Sequence, residues 1–292
     1  MSEQFANPGE LAQALDKTDY IADEGLATAA FLALRMGRPL FLEGDAGVGK
    51  TALAQALSDV LDATFIRLQC YEGIDASQAL YDWDFSRQML HLRAAEGQVT
   101  DRKELEHELY DRRYLIARPL LQALETSPSV LLIDELDRAD DEFEAFLLEV
   151  LSTWQVTIPE FGTVRADKPP LVFLTSNRTR EIHDALKRRC LYHWIDHPSI
   201  ERELEIVRSR APEVGERLAD QVVRASQSLR GRDDLLKPPG VAETLDWVRA
   251  LNELGRCDLD LKTASATLGV AVKYREDLAR VRDSLDRILA GQ

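Results

Sequence analysis

One stretch of eight residues has the composition and spacing of a phosphate-binding loop. It consists of Gly44, Asp45, Ala46, Gly47, Val48, Gly49, Lys50 and Thr51. Glycines let a backbone fold around phosphate groups with its N–H groups pointing inward, and a helix that follows adds positive potential at its N-terminus. We expect Lys50 to contact the β- and γ-phosphates of a nucleoside triphosphate and the Thr51 hydroxyl to bind Mg²⁺.

Two adjacent carboxylates follow an apolar run at residues 130–133. In open sheets of parallel strands, ligands bind beyond the carboxyl ends of the strands. We therefore expect Asp134 to hold Mg²⁺ through water and Glu135 to polarise the attacking water as general base. Many strands end in acids, so this pair gains its meaning from the phosphate-binding loop in the same chain. Together the two motifs predict hydrolysis of ATP.

Two further polar groups lie next to apolar runs. Asn177 follows the run at residues 171–175, and we predict that its amide orients the attacking water; capping of the next helix is the alternative. Arg188 and Arg189 precede the run at residues 191–195. We predict that one of them acts as an arginine finger on a neighbouring subunit's γ-phosphate, with solvated surface charge as the alternative.

The elements that must position these groups alternate between short apolar runs and helical patterns. Strands are predicted at residues 39–42, 64–68, 130–133, 171–175 and 191–195, and helices between them include 50–61 and 141–151. Such alternation predicts an α/β fold with a parallel sheet between helices. Past residue 198 only helical patterns occur, at residues 201–210, 214–229, 241–254 and 261–289. We therefore predict an α/β nucleotide-binding domain over 1–198 and a small all-α lid domain over 199–292.

Two segments interrupt this alternation. Residues 81–118 are rich in charge and carry Phe85, Met89 and Leu92 at helical spacing, which predicts an inserted helix. Residues 154–165 contain two short β-type runs around a Pro- and Gly-containing turn, which predicts a β-hairpin. Surface decoration without a function is the alternative for both segments.

Composition restricts the class of protein. The 292 residues carry a net charge of −15, which disfavours nucleic acid as a partner. The three cysteines are far apart and form no Cys-x-x-Cys pair, as expected for reduced thiols. No segment has the roughly 20 apolar residues of a membrane span, and the N-terminus does not resemble a signal peptide. We expect a cytoplasmic protein, with peripheral attachment to the inner face of the membrane as the alternative.

These motifs, in this order, resemble the AAA+ ATPases, and the finer pattern resembles their MoxR branch. Residues 21–28 and 130–140 carry the resemblance, together with the positions of the insert and the hairpin, and it extends over residues 17–290. The resemblance implies ATP and Mg²⁺ as cofactors, a homo-hexameric ring with ATP sites between subunits, and a helical lid. It also implies that Tyr20 and Ile21 contact the nucleotide.

Four stretches are similar to the MoxR members that mature molybdenum–copper carbon monoxide dehydrogenase: residues 68–83, 88–95, 186–194 and 237–247. The similarity implies a chaperone-like remodeller with two partners, a von Willebrand factor A domain protein and a client metalloenzyme of the molybdenum hydroxylase type. Reactivation of an inhibited enzyme, as in Rubisco-activating relatives, is one alternative. A nucleotide-gated scaffold for the von Willebrand partner is another, and a DNA-associated motor is disfavoured by the acidity.

One position departs from the family. AAA+ proteins often place an arginine, called sensor 2, at the start of the third lid helix. Here that stretch is Gly240-Val241-Ala242-Glu243, and only Lys237 and Arg249 lie nearby in the sequence. The sequence therefore does not identify the residue that would couple the lid to the γ-phosphate.

Overall fold

The computed structural model describes residues 4–95 and 108–290. At its centre is a five-stranded sheet in the order β2-β5-β8-β1-β9, and each neighbouring pair is parallel. The strands are β1 (Leu40–Gly44), β2 (Thr64–Gln69), β5 (Ser129–Asp134), β8 (Leu171–Ser176) and β9 (Leu191–Ile195). Each of the five strand predictions is confirmed to within two residues at either end, and the predicted α/β fold class is confirmed.

The central strands form because their apolar side chains are buried on both faces of the sheet. Every residue of β1, β5 and β8 is buried. Alternation along each strand divides these side chains between two cores. Phe41 and Leu131 belong to one core, whereas Leu40 and Leu132 belong to the other. Burial on both faces explains why these strands appear in the sequence as continuous apolar runs.

Helices cover both faces of the sheet. They are α1 (Pro8–Asp16), α2 (Glu24–Met36), α3 (Lys50–Val60), α4 (Ala76–Leu80), α6 (Pro119–Glu125), α7 (Asp141–Thr153) and α8 (Asp184–Lys187), with 3₁₀ turns at Arg112–Tyr114 and Leu136–Arg138. Capping side chains set the starts of two of them, since Asp23 accepts from Leu26 N and Asp140 accepts from Phe143 N. The predicted helices at 50–61 and 141–151 correspond to α3 and α7.

The insert begins and ends in a small β-ribbon. Strands β3 (Tyr81–Trp83) and β4 (Leu115–Ala117) pair antiparallel, with Tyr81 opposite Ala117. Between them lies α5 (Phe85–Ala95), as the spacing of apolar residues predicts. Residues 96–107 of the insert lie outside the described ranges. The predicted hairpin is present as β6 (Gln155–Ile158) and β7 (Gly162–Arg165), which pair antiparallel.

Helices follow β9 up to the end of the described chain. They are α9 (Ile200–Arg210), α10 (Glu216–Arg230), α11 (Val241–Glu253), α12 (Leu261–Ala271), α13 (Arg275–Arg282) and α14 (Leu285–Leu289). They share a hydrophobic core of their own around the fully buried Trp247, whose indole N–H donates to Thr267. This helical C-terminal region is the predicted one, while the domain division at residue 198 stays a prediction.

The prediction of one continuous helix over residues 261–289 is wrong. Val272 adopts an extended conformation with its side chain buried, and the chain starts again as α13 and then α14. The break brings the carboxylate of Asp277 against the loop before α11, where it accepts from Leu236 N and Lys237 N. Tertiary contacts of two buried residues thus outweigh a periodicity that local sequence would continue.

Two negative findings concern residues 4–95 and 108–290. None of their helices is long and apolar enough to cross a membrane. No cluster of three or more His, Cys, Asp or Glu side chains is arranged there to hold a metal ion by itself.

Candidate nucleotide site

The glycine-rich loop connects the end of β1 to the start of α3. Gly49 forms the N-cap of α3 with φ +98°, a conformation that L residues with side chains rarely adopt. The loop borders a cavity of about 470 Å³, a size that suits a nucleotide. Residues 46–51 line this cavity together with Tyr20, Ile21, Asp134, Glu135 and Asn177. The structure therefore brings together most of the residues that the sequence assigned to the site.

Lys50 is directed back into its own loop. Its ammonium group donates to the carbonyl oxygens of Gly44 and Asp45, each at 2.7 Å. Burial lowers the pKa of Lys50, and the carboxylates of Asp45, Asp137, Asp134 and Glu135 oppose that shift. Gly44 and Asp45 do not line the cavity, and a direct contact of these two residues with the nucleotide stays a prediction.

Asp134 is the most densely bonded carboxylate of the site. Its side chain is buried and accepts from the Thr51 hydroxyl at 3.1 and 3.2 Å and from the Thr175 hydroxyl at 2.5 Å. The first contact joins the two residues predicted to hold Mg²⁺, although they are 83 positions apart in the chain. Thr175 was not assigned to the site from the sequence.

Glu135 has an unusual backbone. Its φ and ψ of 54° and 48° lie in the left-handed region, which is strained for a residue with a side chain. Its N–H donates to the Thr175 hydroxyl, and its carboxylate accepts from the Gln69 amide at 3.0 Å and from Arg138 at 2.8 Å. Glu135 thus lines the cavity, while two side chains bind one oxygen of its carboxylate, Oε2.

Strand β2 contributes two side chains to the site that were not assigned from the sequence. Gln69 lies opposite Asp134 in the register, and Arg67 donates to the Asp134 carboxylate at 3.0 Å from Nε and 2.5 Å from Nη2. Both side chains are on the same face of β2 because they are two residues apart. The sequence carried little signal for them, because β2 is an edge strand of the sheet and polar residues at alternating positions are expected on its partly exposed face.

The predicted nucleotide contacts near the N-terminus are also at the cavity. Tyr20 is buried, and its hydroxyl lies 3.4 Å from the Gly49 carbonyl. Burial and the neighbouring charge of Asp23 raise the pKa of Tyr20, so this hydroxyl stays protonated. Ile21 lines the same cavity. Apolar side chains of this kind offer a surface for a nucleotide base.

Arg188 and Arg189 lie near the amino ends of the strands, at the end of the sheet opposite the nucleotide site. They precede Leu191, which pairs with Leu40 at the start of β1, whereas the phosphate loop follows the end of β1. The five residues of β1 span about 16 Å at roughly 3.3 Å per residue. The site within one chain therefore does not include these arginines, and their action on a neighbouring subunit stays a prediction.

The turn that carries both arginines is fixed by Arg38. Its guanidinium donates to the carbonyl oxygens of residues 188, 189 and 190 at 2.8, 3.2 and 3.2 Å. The side chains of Arg188 and Arg189 are exposed, and the second makes one contact of 3.5 Å with Leu148 O. Arg38 was not identified from the sequence.

The helical C-terminal region closes one side of the cavity. Ala242 N donates to Gly47 O at 3.3 Å, and a Cβ at Gly240 would lie 2.7 Å from Ala46 O, so only glycine permits this approach. At the sensor 2 position, Glu243 turns back to cap its own helix by accepting from Gly240 N. Arg249, two turns further along α11, lines the cavity, and it donates to the carbonyl of Arg210, which lines it too.

The residues present fit Mg²⁺ and ATP. Mg²⁺ prefers hard oxygen ligands, and the hydroxyl of Thr51 and the carboxylate of Asp134 supply them within hydrogen-bond distance of each other. The ammonium group of Lys50 and the N-terminus of α3 supply positive potential next to them. ATP and Mg²⁺ are accordingly the cofactors of this site.

Comparisons with known proteins agree with this geometry. The family model of the AAA domain, dynein-related subfamily, matches residues 39–190, slightly more than half of the chain. An uncharacterized protein of Staphylococcus aureus (strain USA300) is 24% identical over 230 residues, covering 77% of this chain and 78% of its own. The gas vesicle ATPase GvpN of Haloferax mediterranei is 24% identical over 274 residues, covering 88% of this chain and 75% of its own.

A solved structure of similar fold is that of a single-site mutant of RuvB from Thermotoga maritima. It matches with a TM-score of 0.50 and 15% identity, covering 100% of this chain and 80% of its own. At that identity the match supports the fold alone, namely a parallel sheet flanked by helices and followed by a helical region. Taken with the family match and the geometry of the site, these findings show that the chain belongs to the AAA domain family, dynein-related subfamily, and is an ATPase.

Proposed function

We propose that this ATPase acts as a chaperone-like remodeller of the MoxR type in the maturation of a metalloenzyme, with assembly of the carbon monoxide dehydrogenase active site as its specific task. The resemblance of residues 68–83 and 237–247 to ATPases of that pathway supports the client. These stretches contain β2's final residues and the start of α11, so they border the nucleotide site described above.

The observation that best supports hydrolysis of ATP is the hydrogen bond between Thr51 and Asp134, next to the glycine-rich loop. Thr51 and Asp134 would hold Mg²⁺ there, and the bound ion would neutralise charge on the phosphates. Lys50 binds the phosphate oxygens once its ammonium group leaves the carbonyls of its own loop. Glu135 holds the attacking water and takes its proton, and Asn177 orients that water from the neighbouring strand.

Coupling of the nucleotide to the helical region follows from a direct backbone contact. The Ala242 N–H bonds to the loop carbonyl of Gly47, and Gly240 packs on the same loop. A change in the loop on phosphate binding therefore acts on α11 without a sensor 2 arginine. Arg249, at the cavity wall, is the cation of α11 that we assign to the phosphates in its place.

We assign three partners to the protein. The first is its own chain in a homo-hexamer, since AAA proteins commonly oligomerise and Arg188 and Arg189 are far from the site of their own chain. The second is a von Willebrand factor A domain protein that links the ring to the client. The third is the client itself, a molybdenum hydroxylase.

The client assignment is tested in cells that carry the chain as Glu135→Gln in place of the parent. We expect the client metalloenzyme to accumulate as full-length protein with an incomplete metal centre, measured by metal analysis and activity. Native co-purification with this variant should recover the client. A Rubisco-type enzyme recovered instead would favour reactivation, and normal maturation with the non-hydrolysing variant would favour a nucleotide-gated scaffold.

A further inference from the structure

The carboxylate of Asp134 is fully engaged by protein donors. A carboxylate has about four lone-pair sites. Thr51 and Thr175 donate to it through their hydroxyls, and Arg67 donates twice to Oδ2. The Thr175 hydroxyl oxygen in turn accepts from Glu135 N, so its own hydrogen is committed to Asp134. A metal ion or its hydration water that approaches Asp134 must displace one of these donors.

Arg67 is the donor that leaves most easily. Its side chain is 47% exposed, whereas that of Asp134 is 4% exposed. A half-exposed guanidinium regains water when it leaves, so the net free energy of its ion pair is small compared with that of a buried pair. It is also the only cation among the donors to Asp134 in the described part of the chain, and two cations on one carboxylate repel each other.

We propose that Arg67 is a resident counter-ion of the magnesium site, which neutralises and orients Asp134 before the metal arrives and gives up its place when Mg²⁺ binds. This inference rests on the proposed role of Asp134 in holding Mg²⁺. It assigns to β2 a residue that sets the Mg²⁺ dependence of nucleotide binding.

The same guanidinium reaches the general base through one side chain. Arg67 Nη2 donates to the Gln69 amide oxygen, and the Gln69 amide nitrogen donates to Glu135 at 3.0 Å. Because Nη2 is shared between Asp134 and Gln69, a movement of Arg67 away from Asp134 also changes the bond that orients the Gln69 amide. Metal occupancy and the freedom of Glu135 are linked through this pair of β2 residues.

The test is a thermodynamic cycle on the full chain. The dissociation constant of a fluorescent, non-hydrolysable ATP analogue is measured with saturating Mg²⁺ and again with EDTA, and the ratio of the two gives the metal's contribution. Any contact of Arg67 with the nucleotide that does not depend on the metal cancels in this ratio.

In Arg67→Gln we expect Mg²⁺ to improve analogue affinity by about three- to tenfold more than in the parent, the size expected for one partly exposed charge-assisted hydrogen bond. Arg67→Lys keeps the charge but loses the planar fork, so its ratio should fall between the two. Arg112→Gln, which removes a similar surface ion pair with Glu125, is the matched control and should keep the parental ratio. Thermal melting confirms that each variant is folded.

An unchanged or smaller ratio in a folded Arg67→Gln variant overturns the inference. Asp134→Asn separates this failure from failure of the proposed function. If Asp134→Asn loses the effect of Mg²⁺ while Arg67→Gln behaves as the parent, the magnesium site stands and only the role of Arg67 is wrong. If Asp134→Asn keeps the full effect of Mg²⁺, then Asp134 is not in the metal site and both proposals fall.

Discussion

At the scale of single residues, the site separates the positioning of Glu135 from its chemistry. A strained backbone and a hydrogen bond from its N–H to Thr175 aim the residue at the cavity, while Gln69 and Arg138 bind its carboxylate. Both side chains bind Oε2, so Oε1 is the oxygen left to accept a proton from water. The contacts therefore orient the carboxylate without blocking its use as a general base.

The first prediction concerns Lys50 and Glu135. Lys50→Ala should lose nucleotide binding, because a phosphate contact and a buried positive charge disappear together. Glu135→Gln should retain binding and lose turnover by about 10²-fold or more, because the metal contacts remain and the base does not. Glu160→Gln removes one carboxylate at the exposed hairpin turn, away from the site, and serves as the control that should keep parental turnover. Parental turnover in Glu135→Gln would show that another group is the base.

The sequence revealed those functional residues that form contiguous motifs. The glycine-rich loop and Asp134–Glu135 each combine a short local pattern with an adjoining apolar strand, so local rules are sufficient to find them. Arg67, Gln69 and Arg38 are isolated polar residues whose partners lie on other strands or turns. Their roles depend on the strand order, which no single segment encodes.

At the scale of elements, the helical region is organised by a buried ion pair. Arg230 on α10 donates to both oxygens of Glu203 on α9 at 2.6 Å, and also to the Pro239 carbonyl and the Thr244 hydroxyl. These bonds fix the loop that leads into α11, the helix that contacts the phosphate loop. The sequence predicted the helices of this region from their periodicity, but the break after α12 came from tertiary contacts and was missed.

The second prediction is that Arg230→Met destabilises the protein by about 3–5 kcal/mol, since it leaves the buried carboxylate of Glu203 without its cation, although the Gln227 amide still donates to it. Chemical denaturation followed by circular dichroism measures the loss. Combining Arg230→Met with Glu203→Leu should recover much of it, because no buried charge then remains. A loss below about 1 kcal/mol in the single variant, the size of a surface pair, would contradict the assignment.

The third prediction concerns the exposed apolar face of α5. The side chains of Phe85, Met89 and Leu90 are 65%, 52% and 65% exposed, a pattern more typical of a contact surface than of a solvated helix. Changing Phe85 and Met89 to Ser should leave basal ATPase activity and assembly intact and reduce client maturation. Leu254→Ser, an equally exposed apolar residue on the helical region, is the control. If the double variant supports full maturation of the client, this face of α5 has no role in that function.

At the scale of the whole molecule, the sheet separates the two halves of the proposed catalytic apparatus. Lys50, Asp134 and Glu135 lie at or beyond the carboxyl ends of the strands, whereas Arg188 and Arg189 precede the amino end of β9. Arg38, immediately before β1, holds the turn of those arginines. An arginine placed there completes an ATP site only if a second subunit brings its own cavity to it.

The fourth prediction follows from this separation. Arg189→Ala should lower turnover by about 10³-fold or more and change nucleotide affinity much less, because the charge of a finger counts most in the transition state. Arg188→Ala is measured beside it, since the two residues are adjacent and both exposed. Steady-state turnover and analogue binding separate the two effects. Equal losses in affinity and turnover would indicate a role in binding instead.

The most direct test of a site shared between subunits is the ATPase activity of mixed rings. Subunits with Arg189→Ala keep an intact Glu135, and subunits with Glu135→Gln keep an intact Arg189. When both inactive proteins assemble together, some interfaces pair the intact base with the neighbour's intact arginine, so we predict that activity returns. The same experiment is repeated with Arg188→Ala in place of Arg189→Ala. If mixed rings form in both experiments and stay as inactive as their parents, neither arginine acts on a neighbouring subunit, and this account is contradicted.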